Sequence, residues 1–197
     1  MKEKIKKVSY LTGVGVLVGA ALGILSNDIL RLYPTLASSE AYQKSKETLY
    51  AVGFREGLIR YVLIAPLVEE LIFRVLLMVG GEKLLGRKVK NTTLLHVIFV
   101  TGSALAFACY HGNMVQGVYG LVAGVLLAMM WIRSKNLLPI YAMHAMANLS
   151  AYLLERNPEY WDRLDNISLM LTLLLVLIGN ALVSGKVVFG NSEQHLL

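Results

Sequence analysis

The sequence predicts an all-α, polytopic membrane protein, a bundle of about six transmembrane helices around a polar intramembrane cavity. Three observations lead there. Hydrophobic residues fill 56% of the 197 positions against 16% charged, and mean hydropathy is +0.58, whereas soluble domains carry about 45–50% apolar and about 25% charged residues. A chain this short cannot fold so much apolar surface away from water, so lipid must cover it. The apolar residues also fall in runs near the length of about 20 residues that a bilayer crossing requires. Finally, a few ionisable side chains interrupt those runs, where each costs at least about 2.5–3.5 kcal/mol and calls for a partner, water or a function.

Taken in order, the expected spans are 8–25, 57–81, 92–111, 113–132, 137–154 and 167–185, one integral membrane domain over 1–197 with a motif-bearing core at 57–154. The first run follows Lys2, Lys4, Lys6 and Lys7 as a signal peptide would, but it is long for a signal core and lacks a convincing cleavage site, so it is read as a retained span. Segment 26–56 is polar. Ser38 or Ser39 is a possible N-cap, and Tyr42, Leu49, Val52 and Ile59 recur at helical spacing, which predicts an amphipathic helix near the interface. An ordered extracytoplasmic loop is the alternative. The third and fourth spans form a tight hairpin around Gly112.

Lys and Arg in short loops set orientation. The N-terminal lysines, the loop with Lys83, Arg87, Lys88 and Lys90, and the loop with Arg133 and Lys135 all fall on one side, which places both termini in the cytoplasm. The loop 155–166, with Glu155, Glu159, Asp162 and Asp165, falls on the other. The net charge of +6 therefore belongs to membrane loops. A nucleic-acid face would need a basic stripe with interleaved aromatics, and no nucleic-acid partner is expected. Cys109, the single cysteine, permits no intrachain disulfide and is expected to pack in the core, as is His96.

The second span carries Glu69, Glu70 and Arg74 within six residues. Glu70 and Arg74 are four apart and stack on one face. Adjacent helical residues point about 100° apart, so Glu69 is expected to face away from Glu70's partner, as an unpaired carboxylate suited to a general base. Pro66 is expected to free the carbonyl of Val62 and kink the helix. Phe107 and His111 share a face of the third span, and His144 and Asn148 share a face of the fifth. Peptide hydrolysis needs a base for water and donors for an oxyanion, and these residue types supply both. Cys109 sits about 200° around the helix from His111, so that histidine cannot activate it as a nucleophile.

The motifs EExxxR (Glu69, Glu70, Arg74), FxxxH (Phe107, His111) and HxxxN (His144, Asn148), in this order and on separate spans, resemble the CAAX protease and bacteriocin-processing family, which includes the type II CAAX prenyl endopeptidases and many small bacterial membrane proteins. The resemblance implies an intramembrane glutamate endopeptidase in which Glu69 and His111 activate water and His144 and Asn148 form an oxyanion hole. Glu70, Arg74 and Phe107 would support the site. It implies no cofactor, a membrane-associated and in some members lipid-modified peptide or protein as substrate, and a bacterial plasma membrane as the location. The chain is shorter than the eukaryotic enzymes, so their prenylated substrates do not transfer directly.

Two other readings stay open. Glu69, His111 and His144 could instead hold zinc in a membrane peptidase with one open coordination position. A non-catalytic peptide-binding or immunity protein could use the same cavity. An ion or proton transporter is disfavoured, because the chain shows neither a repeat nor paired broken helices. At 1.5 Å per residue, His144 lies near the cytoplasmic third of its span and His111 near the opposite face. One water can serve both only if the third helix starts later than Thr92 or the helices are tilted and offset.

Overall fold

A computed structural model describes residues 2–86, 89–157 and 159; the expected sixth span, 167–185, lies outside them. Among the described residues the elements are helical, with no strand. They are α1 (Lys2–Leu32), α2 (Pro34–Ala37), α3 (Glu40–Tyr50), α4 (54–85), α5 (Thr92–Tyr110), α6 (Met114–Ser134) and α7 (Leu137–Arg156). Helices α1, α5, α6 and α7 are long and apolar enough to cross a membrane. Their outer surfaces expose Val97, Leu105 and Val118, which water would not tolerate in such numbers but lipid does.

The loops end these helices by local chemistry. Asn91, Asn113 and Asn136 cap α5, α6 and α7, each side-chain oxygen accepting from a backbone N–H of the first turn, that of Leu94, Gln116 and Leu138 respectively. Gly112 takes a φ of 69° and turns the chain from α5 into α6, a left-handed conformation that glycine adopts without steric cost.

Helix α1 packs along α7 through a ridge of Gly15, Gly19 and Gly23. A Cβ on these glycines would collide with the carbonyl oxygens of Pro139, Met143 and Ala147. Both sets advance by four residues, so two backbones meet over two turns, as small residues permit inside a membrane. The core runs from this ridge through Leu11, Val18, Leu127, Met130 and Ile140.

Segment 26–56 differs from its expected form. Residues 26–32 extend α1, Pro34 starts a separate turn, and the helix expected across the segment is only Glu40–Tyr50. Ser39 occupies the N-cap position without a side-chain bond. Tyr42 is buried, but Ile59 is exposed, because the chain breaks after α3 and re-enters as α4 on a new helical phase.

Candidate active site

Helix α4 is wound unevenly. Phe54–Gly57 is α, Leu58–Ile64 π, Ala65–Glu70 α, Leu71–Val79 π and Gly80–Leu85 α. The short α segment holding both glutamates is thus bracketed by wide turns, an arrangement frequent at functional sites. Proline explains the first of them. In the π register Ala65 N–H donates to the Arg60 carbonyl, five residues back. The next donor, to Tyr61, would be Pro66, which has no N–H. The freed carbonyl is therefore that of Tyr61, not Val62 as the α register predicts. Asn148 Nδ2 donates to it at 2.9 Å.

Glu70 and Arg74 are completely buried, with Arg74 Nε 3.2 Å from Glu70 Oε2. Arg74 Nη2 also reaches the Gly124 carbonyl at 3.4 Å, and its guanidinium stands 5.4 Å from the Phe107 ring centre. The expectation that Glu69 faces away from Glu70's partners is corrected. His144 Nδ1 lies 2.8 Å from Glu70 Oε1, and its Nε2 lies 3.5 Å from Glu69 Oε2. The two carboxylates do diverge around the helix, yet an imidazole presents two nitrogens on opposite edges and bridges the gap.

Phe107 stands edge-on to the rings of His111 and His144, at centroid distances of 4.7 and 5.5 Å. Both histidine rings therefore meet at Phe107 although they sit at different points along their helices. Helix α5 begins at Thr92 as expected, so a late start is not the answer. His111 instead caps the helix and folds its ring back one turn, Nδ1 donating to the Phe107 carbonyl at 2.8 Å. That bond fixes the tautomer: Nδ1 carries the hydrogen, and Nε2 is left as an acceptor. Behind it, Gly120 of α6 gives the ring its seat, since a Cβ there would sit 3.3 Å from Nδ1.

Glu69, His111 and Asn148 line one cavity of about 380 Å³, with apolar walls from α1 and α6 that include Leu25, Ile29 and Val118. Helix α3 roofs it with Tyr42, Lys46 and Leu49. The roof is tied down by Glu155, which accepts from Tyr42 and Tyr50 hydroxyls at 2.6 Å each. Burial, together with the hydrogen bond and charge of Glu155, pushes both phenols well above their ordinary range. Arg156 lies over the Tyr50 and Tyr152 rings and donates to the Val52 carbonyl at 3.0 Å.

All seven motif residues thus fall in one neighbourhood. Two expectations fail around it. Cys109 is exposed rather than packed in the core, because it lies on the outer side of α5, away from Phe107. His96 is only half-buried. Sequence reasoning missed Tyr119, whose hydroxyl is buried beside the site, and the Glu155 tie to α3. Tyr119 had a signal, since it stands four residues before Ala123 on one face of α6; the tie joins residues more than 100 positions apart and had none. Among the described residues, no three His, Cys, Asp or Glu side chains form a metal-binding group.

Comparison with known protein families adds an independent finding. The family model described as type II CAAX prenyl endopeptidase Rce1-like matches residues 52–150, which hold every motif residue and run from the break before α4 into α7. No curated protein matches the chain. No solved structure matches it either.

Proposed function

Because this chain belongs to the type II CAAX prenyl endopeptidase Rce1-like family, we propose that it is an intramembrane endopeptidase of the glutamate type, acting on a membrane-associated peptide or protein. The observation that supports this reading is the shared cavity, which is lined by Glu69, His111 and Asn148 and offers an apolar volume large enough for a peptide segment. CAAX-type intramembrane proteolysis is the activity of the family, and the chain is an integral membrane protein. The substrate is expected to enter from the lipid, and both termini are assigned to the cytoplasm.

Water bound between Glu69 and His111 Nε2 attacks the scissile carbonyl, and Glu69 takes its proton. The negative charge moves to the carbonyl oxygen, which receives hydrogen bonds from His144 Nε2–H and from the second amide N–H of Asn148. Collapse of this intermediate breaks the C–N bond, and the proton held by Glu69 passes to the leaving amine. The products are a carboxylate and an amine. Glu70 holds His144 through Nδ1, and Nε2, which lies 3.5 Å from Glu69 Oε2 at rest, turns to the oxyanion once Glu69 has taken the proton of the water. When both ring nitrogens carry hydrogens, Glu69, Glu70, Arg74 and His144 together carry no net charge, so the resting cluster is tolerable in a low dielectric.

The test uses the full chain in detergent with a panel of internally quenched membrane-peptide substrates, a farnesylated CAAX peptide among them, with and without a chelator. Glu69→Gln and His111→Ala are expected to lower turnover by roughly 10²–10⁴-fold, the usual contribution of positioned acid–base groups. Turnover surviving Glu69→Gln overturns the mechanism. Loss on chelation, restored by zinc, would replace it with the zinc version.

A further inference from the structure

The Tyr119 hydroxyl is buried and has no hydrogen-bond partner among the described residues. Packing does not explain it. The ring sits against the core at Leu22, Ala123 and Leu127, where phenylalanine would fill the same space without a polar atom. A buried hydroxyl is costly to leave unpaired, and no described residue satisfies this one, which makes a bound water or substrate oxygen its natural partner. The place for that partner is visible. Tyr119 lines a small chamber of about 20 Å³ together with Phe107, His111, His144 and Asn148. That volume suits a single water. Tyr119 also lines the large cavity, again with His111 and Asn148.

The neighbouring donors are partly committed. Asn148 spends one N–H on the Tyr61 carbonyl, and His144 spends Nδ1 on Glu70. Asn148 retains one N–H and His144 its Nε2, which contacts Glu69 Oε2 at only 3.5 Å, whereas an oxyanion accepts up to three hydrogen bonds. We propose that Tyr119 is a further catalytic residue, whose hydroxyl donates a hydrogen bond to the oxyanion of the tetrahedral intermediate beside His144 and Asn148. At rest a water in the chamber takes that bond, and the substrate carbonyl displaces it. Helix α6 supplies the hydroxyl one residue before Gly120, which seats His111, so the same turn positions the base's partner and the third donor.

This inference rests on the peptidase reading, and the experiment separates the two. Tyr119→Phe and Glu69→Gln are compared with wild type on the farnesylated, quenched CAAX peptide, with thermal unfolding of each protein. Tyr119→Phe is expected to lower kcat by roughly 10²–10³-fold, the loss typical of one oxyanion donor, with KM within about twofold and Tm unchanged or higher. A kcat within about twofold of wild type, or a loss that tracks a lower Tm, overturns the role of Tyr119 while leaving the reading intact. Turnover by Glu69→Gln overturns the reading instead. Should wild type not cleave this peptide, binding of its phosphinate analogue, a tetrahedral anion, decides. About tenfold weaker binding by Tyr119→Phe supports the role, and equal binding overturns it.

Discussion

Replacing Arg74 with methionine separates what holds this site together from what it does. Neither Arg74 nor Glu70 has any exposed surface, and the ion contact between them is 3.2 Å. The Arg74→Met side chain would keep most of the volume but leave Glu70 as a buried carboxylate whose remaining partner is His144 Nδ1. Breaking a buried pair in this way costs about 3–5 kcal/mol, to which the lost contact with the Phe107 ring adds about 0.5–2 kcal/mol. The sum corresponds to roughly 10²–10⁵ in the folding equilibrium constant. Reversible unfolding in mixed detergent, followed by loss of protection from protease, reads this directly. The double variant Arg74→Met with Glu70→Gln removes both charges and should regain most of the stability, because no uncompensated charge remains. Activity should not return with it, since a neutral amide holds His144 Nδ1 less firmly than a carboxylate does. A stable Arg74→Met protein, or a double variant as unstable as the single one, would refute the reasoning that charge compensation holds the cluster together.

Two further outcomes are expected. Gly19→Leu should split α1 from α7, because its side chain has no space beside the Met143 carbonyl, while Gly13→Ala, with open space around it, should be neutral or stabilising by up to about 1 kcal/mol; the same unfolding measurement checks both. Tyr42 and Tyr50 should resist ionisation in the folded protein, read as missing phenolate absorbance during alkaline titration. Their folded pKa values are raised above the usual value of 10.0, so the unfolded chain releases these protons first and stability falls as pH rises beyond about 10. A folded protein in which every tyrosine titrates near that value would sink the Glu155 tie.

Much of the fold was legible because lipid imposes a simple rule on composition. Long apolar runs had to become helices, and α5, α6 and α7 begin within a residue of where hydropathy places them. The spacing of Gly15, Gly19 and Gly23 carries the α1–α7 contact, but hydropathy alone merges these glycines into an apolar run and hides the face they form. The partners of Glu69 were not legible. Angular reasoning about neighbours on one helix correctly separates Glu69 from Glu70, then fails because it treats His144 as a single point rather than a ring with two polar edges. The π windings of α4 also escaped the sequence. Pro66 announces a missing donor, but which carbonyl it orphans depends on whether the preceding turn is α or π, and that is decided by packing against α7.

The same orphaned carbonyl shows why Asn148 suits its position better than any other polar residue. Its amide faces two demands at once: an acceptor at Tyr61 that the π winding exposes, and the cavity where a carbonyl oxygen would gain charge. Aspartate could meet neither, since a carboxylate only accepts, and it would add a charge beside Glu69 and Glu70. Histidine offers donors on opposite edges of its ring, not two from one nitrogen. Among uncharged side chains only a primary amide presents two N–H groups about 120° apart from a single atom, so one can brace α4 against α7 while the other remains unspent beside the cavity. On the proposed mechanism the brace and the chemistry are linked: a shift of α4 that lengthens the Tyr61 contact would turn the amide and draw its second hydrogen away from the cavity. Placing the glutamates on the α segment between two π windings makes that coupling direct, because Tyr61 and Glu69 lie on the same helix, about two turns apart.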